Sequence, residues 1–310
     1  MAERVDKTGT GFVSRMIARM RRIRGNVAQV LSMNHRNLGY IYPNNQREHY
    51  PLADNKLYTK QMLAHTDVPL PETYKVYGYF YELRNLNADL SQYSDFVIKP
   101  AMGSGGGGIV VIAGRTEDGN SWLGVNGKVY SLADLRKQIS DIIFGVYSFG
   151  LSDEAIIEER ICQHPDVESI SPFGLADVRM IVCKNQPILA MIRLATIKSH
   201  GTANLHQGAV GVGIDMHTGI TRHATQKGRP ISHHPDSGVA LTGVELPFWQ
   251  EVVDAGVHVS HQAPLKYLGV DIAIAEDGPR LLEINVRPGL EIQNANASGM
   301  REILEVYASE

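Results

Sequence analysis

Cysteine is nearly absent from this chain: its 310 residues include only Cys162 and Cys183. Two thiols are too few for a disulfide framework or a four-thiolate metal site, and a reducing cytoplasm is the expected location. Long apolar runs are absent as well. Uncharged stretches such as residues 142–152 fall well short of the ~20 apolar residues that a membrane span needs. No apolar signal core follows the N-terminal basic residues, so secretion is not expected. What is present is ordinary for a folded chain: 43% apolar and 20% charged residues exclude a disordered or fibrous protein. At roughly 100–200 residues per domain, the length suggests about two domains.

The net charge is only −3 but is unevenly placed. Residues 1–47 carry nine basic side chains against Glu3 and Asp6, a surplus of seven that leaves −10 on the rest. Such an arm suits nucleic acid, anionic lipid or an acidic partner. The alternative is a helix packed on its own protein. Val13, Met16, Ile17, Met20, Ile23, Val27, Val30 and Leu31 recur at helical spacing, which favours packing over a nucleic-acid role.

Residues 1–50 read as a mostly helical opening. Helices are expected over 54–65, 132–144, 247–268 and 301–308. Strands are expected over 95–100, 109–113, 155–161, 177–183, 188–197, 270–275 and 281–286. Residues 200–221 are glycine-dotted, and the stretch around His233 and His234 is turn-rich. Strands paired with neighbours and interrupted by helices point to an α+β fold rather than a uniform βαβ alternation. The expected division is 1–50, 51–155 and 156–310.

Between two of those strands lies Gly103-Ser104-Gly105-Gly106-Gly107-Gly108. Glycine lets backbone amides approach a phosphate closely and adopt positive φ. The spacing fits G-x-G-x-x-G, but a dinucleotide fingerprint needs a helix directly after the loop, and residues 109–112 are β-branched. No Gly-Lys-Ser/Thr closes the loop, which excludes a Walker A site. A strand–loop–strand flap over nucleotide phosphates remains. A protein-kinase loop also fits literally, yet Lys99 precedes the glycines and no His-Arg-Asp or Asp-Phe-Gly occurs. A flexible linker is the bland alternative.

Near the C-terminus Glu283 and Asn285 are two apart, so on a strand they share a face. If residues 277–279 form a three-residue loop, Asp271 opposes Asn285 on that same face. Hard oxygen donors of this kind suit Mg²⁺, and a simply solvated hairpin is the alternative. His233-His234 and Cys162-x-His164 lack companion ligands at zinc spacing.

In order along the chain stand Asn55-Lys56, Val97-Ile98-Lys99-Pro100 with its glycine loop, Ile156-Ile157-Glu158-Glu159, Asp177-Val178-Arg179, Asn204-Leu205-His206 and Glu283-x-Asn285-x-x-Pro288-Gly289-Leu290-Glu291. Over about residues 50–300 this resembles the ATP-grasp superfamily. The resemblance is to its α-L-glutamate ligase-like branch, related to ribosomal-protein glutamate ligases and sugar-transfer-associated ATP-grasp proteins. It implies two α+β subdomains gripping ATP between antiparallel sheets. By that resemblance Lys56 and Lys99 would contact ATP phosphates, with Lys99 also near the adenine. Gly103, Ser104, Gly105 and Gly106 would form the flap. Glu158, Glu159 and Ile161 would lie on the hinge that bonds adenine through its backbone. Asp177 would meet the ribose, and Asn204 the triphosphate or a metal. Asp271, Glu283 and Asn285 would bind one or two Mg²⁺, or Mn²⁺ in its place.

Arg179 and Arg193 fall on an expected hairpin, opposed if its loop has an odd number of residues. Their natural task is to stabilise charge on the transferred phosphoryl group and the tetrahedral intermediate. Arg287 would hold a substrate carboxylate bidentately, or pair with Glu291. The related ligases carry a full N-terminal α/β domain, whereas only the short basic segment precedes Lys56 here.

The expected activity is an ADP-forming carboxylate–amine ligase. ATP phosphorylates a carboxylate, an amine attacks the acylphosphate and an amide remains. Glutamate or another amino acid would be joined to a peptide or small carboxylate. No side-chain nucleophile is required, which fits the lack of a convincing Ser/His/Asp or Cys/His arrangement. A phosphotransferase and a nucleotide-binding regulatory module are the alternatives, and a homo-oligomer is expected.

Overall fold

Two antiparallel sheets carry the fold. The computed structural model describes residues 28–103 and 105–308, so the expected N-terminal helical face up to Val27, and Ser104 of the glycine loop, lie outside the described residues. The first sheet holds β1 (Thr73–Tyr77), β2 (Phe96–Pro100), β3 (Val110–Arg115), β4 (Trp122–Gly124), β5 (Val129–Tyr130) and β6 (Ala155–Glu158), in the order β1-β6-β2-β3-β4-β5. The second holds β7 (Asp177–Cys183), β8 (Gln186–Leu194), β9 (Val210–Ile214), β10 (Thr221–Gln226), β11 (Arg229–Ile231), β12 (Tyr267–Ala275) and β13 (Gly278–Asn285), in the order β11-β10-β9-β8-β7-β12-β13. With helices between the strands, this is the expected α+β class. The expected division at 155/156 falls on the first residue of β6, which pairs within the six-stranded sheet.

The expected helix over 54–65 is two helices, α1 (Pro51–Asp54) and α2 (Lys56–Leu63). Asn55 between them has extended backbone, and its Oδ1 accepts from the Leu57 N–H at 2.8 Å and the Tyr58 N–H at 3.4 Å. An asparagine oxygen satisfies amides that a first turn leaves orphaned, so a new helix starts here. The Lys56 N–H donates to Ala101 O at 2.9 Å, which fixes the lysine beside the glycine loop.

Helix α3 (Leu132–Ile143) opens on a capping box between Ser131 and Asp134 and buries Leu135, Ile139 and Ile142 with Phe96, Ile98 and Trp122. Each such side chain contributes about 1.5–3 kcal/mol. Helix α4 (Trp249–Gln262) is shorter than the expected 247–268, because β12 already begins at Tyr267. It packs on the larger sheet, with Gly256 against Met180 and Ile272. Those two residues alternate with Arg179 and Asp271, so the strand period of two turns Arg179 and Asp271 to the opposite face.

Three strands, β9 to β11, occupy the region read as glycine-dotted and turn-rich. The glycines serve packing. A Cβ on Gly213 would sit 2.5 Å from Ala295 O, so only glycine lets α5 (Glu291–Ala295) lie on β9. The closing helix α6 (Arg301–Ala308) is as expected.

Residues 28–50 pack on the body of the larger sheet, where Leu31, Tyr40 and Ile41 join its core. Gln293 brackets Leu31, accepting from its N–H at 2.8 Å and donating to its carbonyl at 3.1 Å. Asn45 brackets Tyr267 in the same way, at 3.0 and 2.6 Å. No described helix is long and apolar enough to cross a membrane.

Candidate active site

A row of charged side chains crosses the face of the larger sheet away from α4. Two-residue turns and β-bulges set its register, and both expected pairings are corrected. Lys184 and Asn185, each at positive φ, form the β7–β8 turn, and a bulge at Ile181/Val182 shifts the ladder. Arg193 therefore opposes Asp177, and Arg179 opposes Met191 rather than Arg193. In the β12–β13 hairpin the ladder closes at Ala275↔Gly278 with a bulge beside Asp271, so Asp271 opposes Glu283 and Asn285 opposes Gly269.

The three acids and two arginines interlock. The Arg193 Nε and Nη2 donate to Asp177 at 2.5 and 2.7 Å, and Nη2 also donates to Asp271 Oδ2 at 2.8 Å. Arg179 forks onto Asp271, with Nε at 2.7 Å from Oδ1 and Nη2 bonded to Oδ2. Asn285 Nδ2 donates to Asp271 Oδ2 at 3.2 Å and toward Glu283 Oε1 at 3.5 Å. From α2, Lys56 Nζ lies 3.5 Å from Glu283 Oε2 and donates to Gly103 O at 2.9 Å. Three cations meet three anions, which is how buried charge is tolerated.

Burial pushes the Asp271 carboxyl up, but Arg179 and Arg193 outweigh it and hold the group below the usual range. Burial wins at Asp177, raised to about 6 against the pull of Arg193, with Asp271 adding to the rise. Burial also opposes the charge on Arg193, yet Asp177 and Asp271 keep that guanidinium firmly protonated.

The expected metal donors differ in how committed they are. Asp271 is 1% exposed and accepts four N–H groups, so its lone pairs are engaged. Glu283 is held only loosely, and the Asn285 Oδ1 accepts nothing among the described residues. Glu283 and Asn285 thus fit a hard cation, with Asp271 as the anion that orients both arginines around them.

A second cluster sits on the smaller sheet. Lys99 from β2 and Glu158 from β6 form a buried ion pair, joined by Lys60 Nζ at 2.8 Å from Glu158 Oε2. Lys60 also donates to Pro71 O and Thr73 Oγ1, each at 2.7 Å. Burial raises the Glu158 carboxyl, but Lys99 and then Lys60 bring it below the usual range. Lys60 is absent from the sequence reading; its signal was the i, i+4 spacing from Lys56, which places both ammoniums on one face of α2.

The glycine loop runs between the clusters. Gly105, Gly106 and Gly108 have positive φ, and a Cβ on Gly108 would meet the Tyr147 ring at 2.6 Å. Asn204 Nδ2 and Gln207 Nε2 hold Gly105 O at 3.2 and 3.3 Å. Asn204 is therefore against the loop, its Oδ1 accepting from the His206 N–H at 3.0 Å.

The expected hinge strand ends at Glu158 rather than Ile161. The Glu159 N–H donates to Glu72 O at 2.9 Å, whereas the Ile161 backbone makes no hydrogen bond among the described residues. Asp177, expected at a ribose, turns both oxygens to Arg193. Arg287 lies over the Tyr50 ring, 5.0 Å from its centroid, and makes no ion pair with Glu291, which accepts from Asn294 at 2.8 Å.

The sequence profile of the family described as sugar-transfer-associated ATP-grasp matches residues 35–308. No curated protein matches the chain. Among solved structures it is similar to the ATP-grasp ligase PsnB complexed with a minimal precursor, at 16% identity and a TM-score of 0.45, over 86% of this chain and 64% of that one. This chain thus spans somewhat less than two thirds of PsnB. It is also similar to D-alanine–D-alanine ligase from Bacillus anthracis, at 15% identity and a TM-score of 0.46, over 89% of this chain and 72% of that one. A third likeness is to D-cycloserine synthetase DcsG, at 16% identity and a TM-score of 0.44, over 84% and 71%. With nearly nine tenths of its residues matched by that profile, the chain belongs to the sugar-transfer-associated ATP-grasp family.

Proposed function

We propose that this protein is an ATP- and Mg²⁺-dependent, ADP-forming carboxylate–amine ligase, with an amino acid such as glutamate as one substrate and a peptide or small carboxylate as the other. One observation carries the reading: Glu283 and Asn285 stand open beside two arginines that a buried Asp271 has already oriented. Terminal Nη1 groups of Arg179 and Arg193 take no partner among the described residues, so each guanidinium is fixed on one side and free on the other. Preorganised donors of this kind act where negative charge develops, at no cost in reorientation during the reaction.

Lys56 and Lys99 hold the phosphates of ATP as charge-assisted donors, and the glycine loop covers them. Glu283 and Asn285 hold the magnesium, which when bound neutralises the phosphates and aligns the γ-phosphoryl group. The substrate carboxylate oxygen displaces ADP at the γ-phosphorus, giving an acylphosphate. The amine then attacks the acyl carbon, a proton leaves the nitrogen, and the collapse of the tetrahedral adduct releases phosphate and leaves the amide. Arg179 and Arg193 stabilise the charge on both the phosphoryl group and that adduct.

Incubating the protein with ATP, Mg²⁺, an amino-acid pool and short peptides tests this by mass spectrometry. ADP with amide products of matching mass is expected. ADP with a phosphorylated hydroxyl would make it a phosphotransferase, and tight ATP binding without turnover a nucleotide-binding module.

A further inference from the structure

Lys60 and Lys99 share one carboxylate. Lys99 Nζ is bonded to Glu158 Oε1, and Lys60 Nζ lies 2.8 Å from Oε2. Among the described residues no other carboxylate comes within 4 Å of either ammonium. Glu159, the next acid along the chain, accepts from the Glu72 N–H through Oε2 at 3.0 Å. Two cations therefore meet one anion, and Lys99 and Glu158 are both buried. Surplus charge is costly in a desolvated place, so an arriving anion is favoured there. Burial pushes the Lys60 ammonium below its usual range against the pull of Glu158, and the charge of Lys99 adds to the fall.

The two lysines are not equivalent. Three oxygens surround the Lys60 ammonium: Glu158 Oε2, with Pro71 O and Thr73 Oγ1 each at 2.7 Å. An ammonium has three hydrogens, so none is left for a ligand. Lys99 has Glu158 as its one partner among the described residues and keeps two hydrogens unfilled. It also stands at the end of β2, where the chain enters the glycine loop. Lys99 is thus the lysine that can turn to a phosphate, and Lys60 is not. Without Lys60, however, Glu158 would cancel the charge of Lys99 one for one.

We infer that Lys60 is a positioning residue for ATP: by neutralising Glu158 it leaves the charge of Lys99 to the phosphates. The cluster then offers the nucleotide one net positive charge, although only Lys99 touches it. The inference rests on the nucleotide role proposed above for Lys99 and adds a residue that sets ATP affinity without contacting ATP.

Calorimetry of ATP with Mg²⁺ on the full-length protein tests it, because the variants differ in the net charge of the cluster. Lys60→Gln makes the cluster neutral and should weaken ATP binding about tenfold or more, as for the loss of one charge-assisted bond. Adding Glu158→Gln to Lys60→Gln restores the single positive charge and should return the affinity to within about threefold of the unaltered protein. Lys60→Arg keeps the charge and should bind ATP nearly as well as lysine. Thr73→Ala loses a bond to Lys60 but no charge, and should leave ATP affinity unchanged. Lys137→Gln, exposed and paired with Asp141, is the control for loss of a lysine elsewhere. A merely structural Lys60 predicts the reverse for the double variant, which would bind ATP no better than Lys60→Gln. That result, or unchanged affinity in Lys60→Gln while Lys99→Gln is weakened, would overturn the inference alone. Unchanged affinity in Lys99→Gln would remove the nucleotide role of Lys99 itself. If Lys60→Gln does not fold, Glu158→Gln decides: it should bind ATP at least as tightly as the unaltered protein, and weaker binding would overturn the inference.

Discussion

Arg179 and Asp271 face each other across β7 and β12, the guanidinium closing a two-bond fork on the buried carboxylate. Arg193 reaches that carboxylate from β8, so one anion orients two arginines drawn from different strands. Their separation in sequence hides the arrangement; the order β8-β7-β12-β13 creates it.

Asp271→Asn should be costly to the fold as well as to catalysis. It leaves Arg179 and Arg193 with one fewer buried counter-charge, a change that costs about 3–5 kcal/mol where buried pairs are broken. Urea unfolding reads this directly. A loss under about 1 kcal/mol would mean that the arginines find another partner.

Glu283→Gln should separate the two roles. The side chain is 33% exposed and its pair with Lys56 is long, so stability should change by less than about 1 kcal/mol. ADP formation should nevertheless collapse if Glu283 is the magnesium ligand proposed above, because that ligand would lose its charge. Near-normal turnover across a Mg²⁺ titration would remove Glu283 from the metal shell.

The Lys99–Glu158–Lys60 cluster predicts a specific acid dependence. Glu158 has its folded-state pKa lowered from 4.5, since Lys99 and Lys60 outweigh the opposing effect of burial. Its stabilisation is therefore complete above about pH 4.5 and fades as pH falls through the folded value. Glu158→Gln should be destabilised at pH 7, and the gap to the unaltered protein should narrow below pH 4.5. Chemical denaturation at pH 7 and at pH 3.5 checks the sign; a gap that widens in acid would contradict the ion-pair account.

Replacing Asn204 and Gln207 together by alanine should loosen the glycine loop. Both donate to Gly105 O, and each such bond contributes about 0.5–1.5 kcal/mol. Amide exchange over residues 103–108 should speed up without nucleotide and slow again when ATP is added. An ATP-independent exchange rate would argue against a flap.

Much of this was legible in the sequence. Strands β2, β3 and β7 announced themselves by β-branched runs, and α3 by its apolar spacing. Asp271, Glu283 and Asn285 were found because polar residues two apart on a strand share a face, whereas Asp177 and Arg179 were singled out by the resemblance to ATP-grasp proteins. Strand β9 escaped because Gly211 and Gly213 look like loop residues until α5 is seen to need the space they leave. Lys60 escaped because its partner Glu158 is ninety-eight residues away and only the β6–β2 pairing brings Lys99 to the same anion.

The sequence by itself determined which side chains could do chemistry and on which face of each strand they stand, because a strand's period of two and a helix's of 3.6 are local properties. Asn55 likewise fixed the start of α2 by a bond that reaches only two residues. The partners were decided by tertiary structure alone. Two-residue turns closed both hairpins and bulges beside Asp271 and at Ile181 then moved each ladder by one residue, so that Glu283 rather than Asn285 stands opposite Asp271 and Met191 rather than Arg193 opposite Arg179. A bulge is chosen by how two strands twist and pack, not by the residues of either strand alone. The same holds for Arg36, an unremarked basic residue in the sequence, whose position beneath Pro288 exists only once residues 28–50 have folded onto the larger sheet.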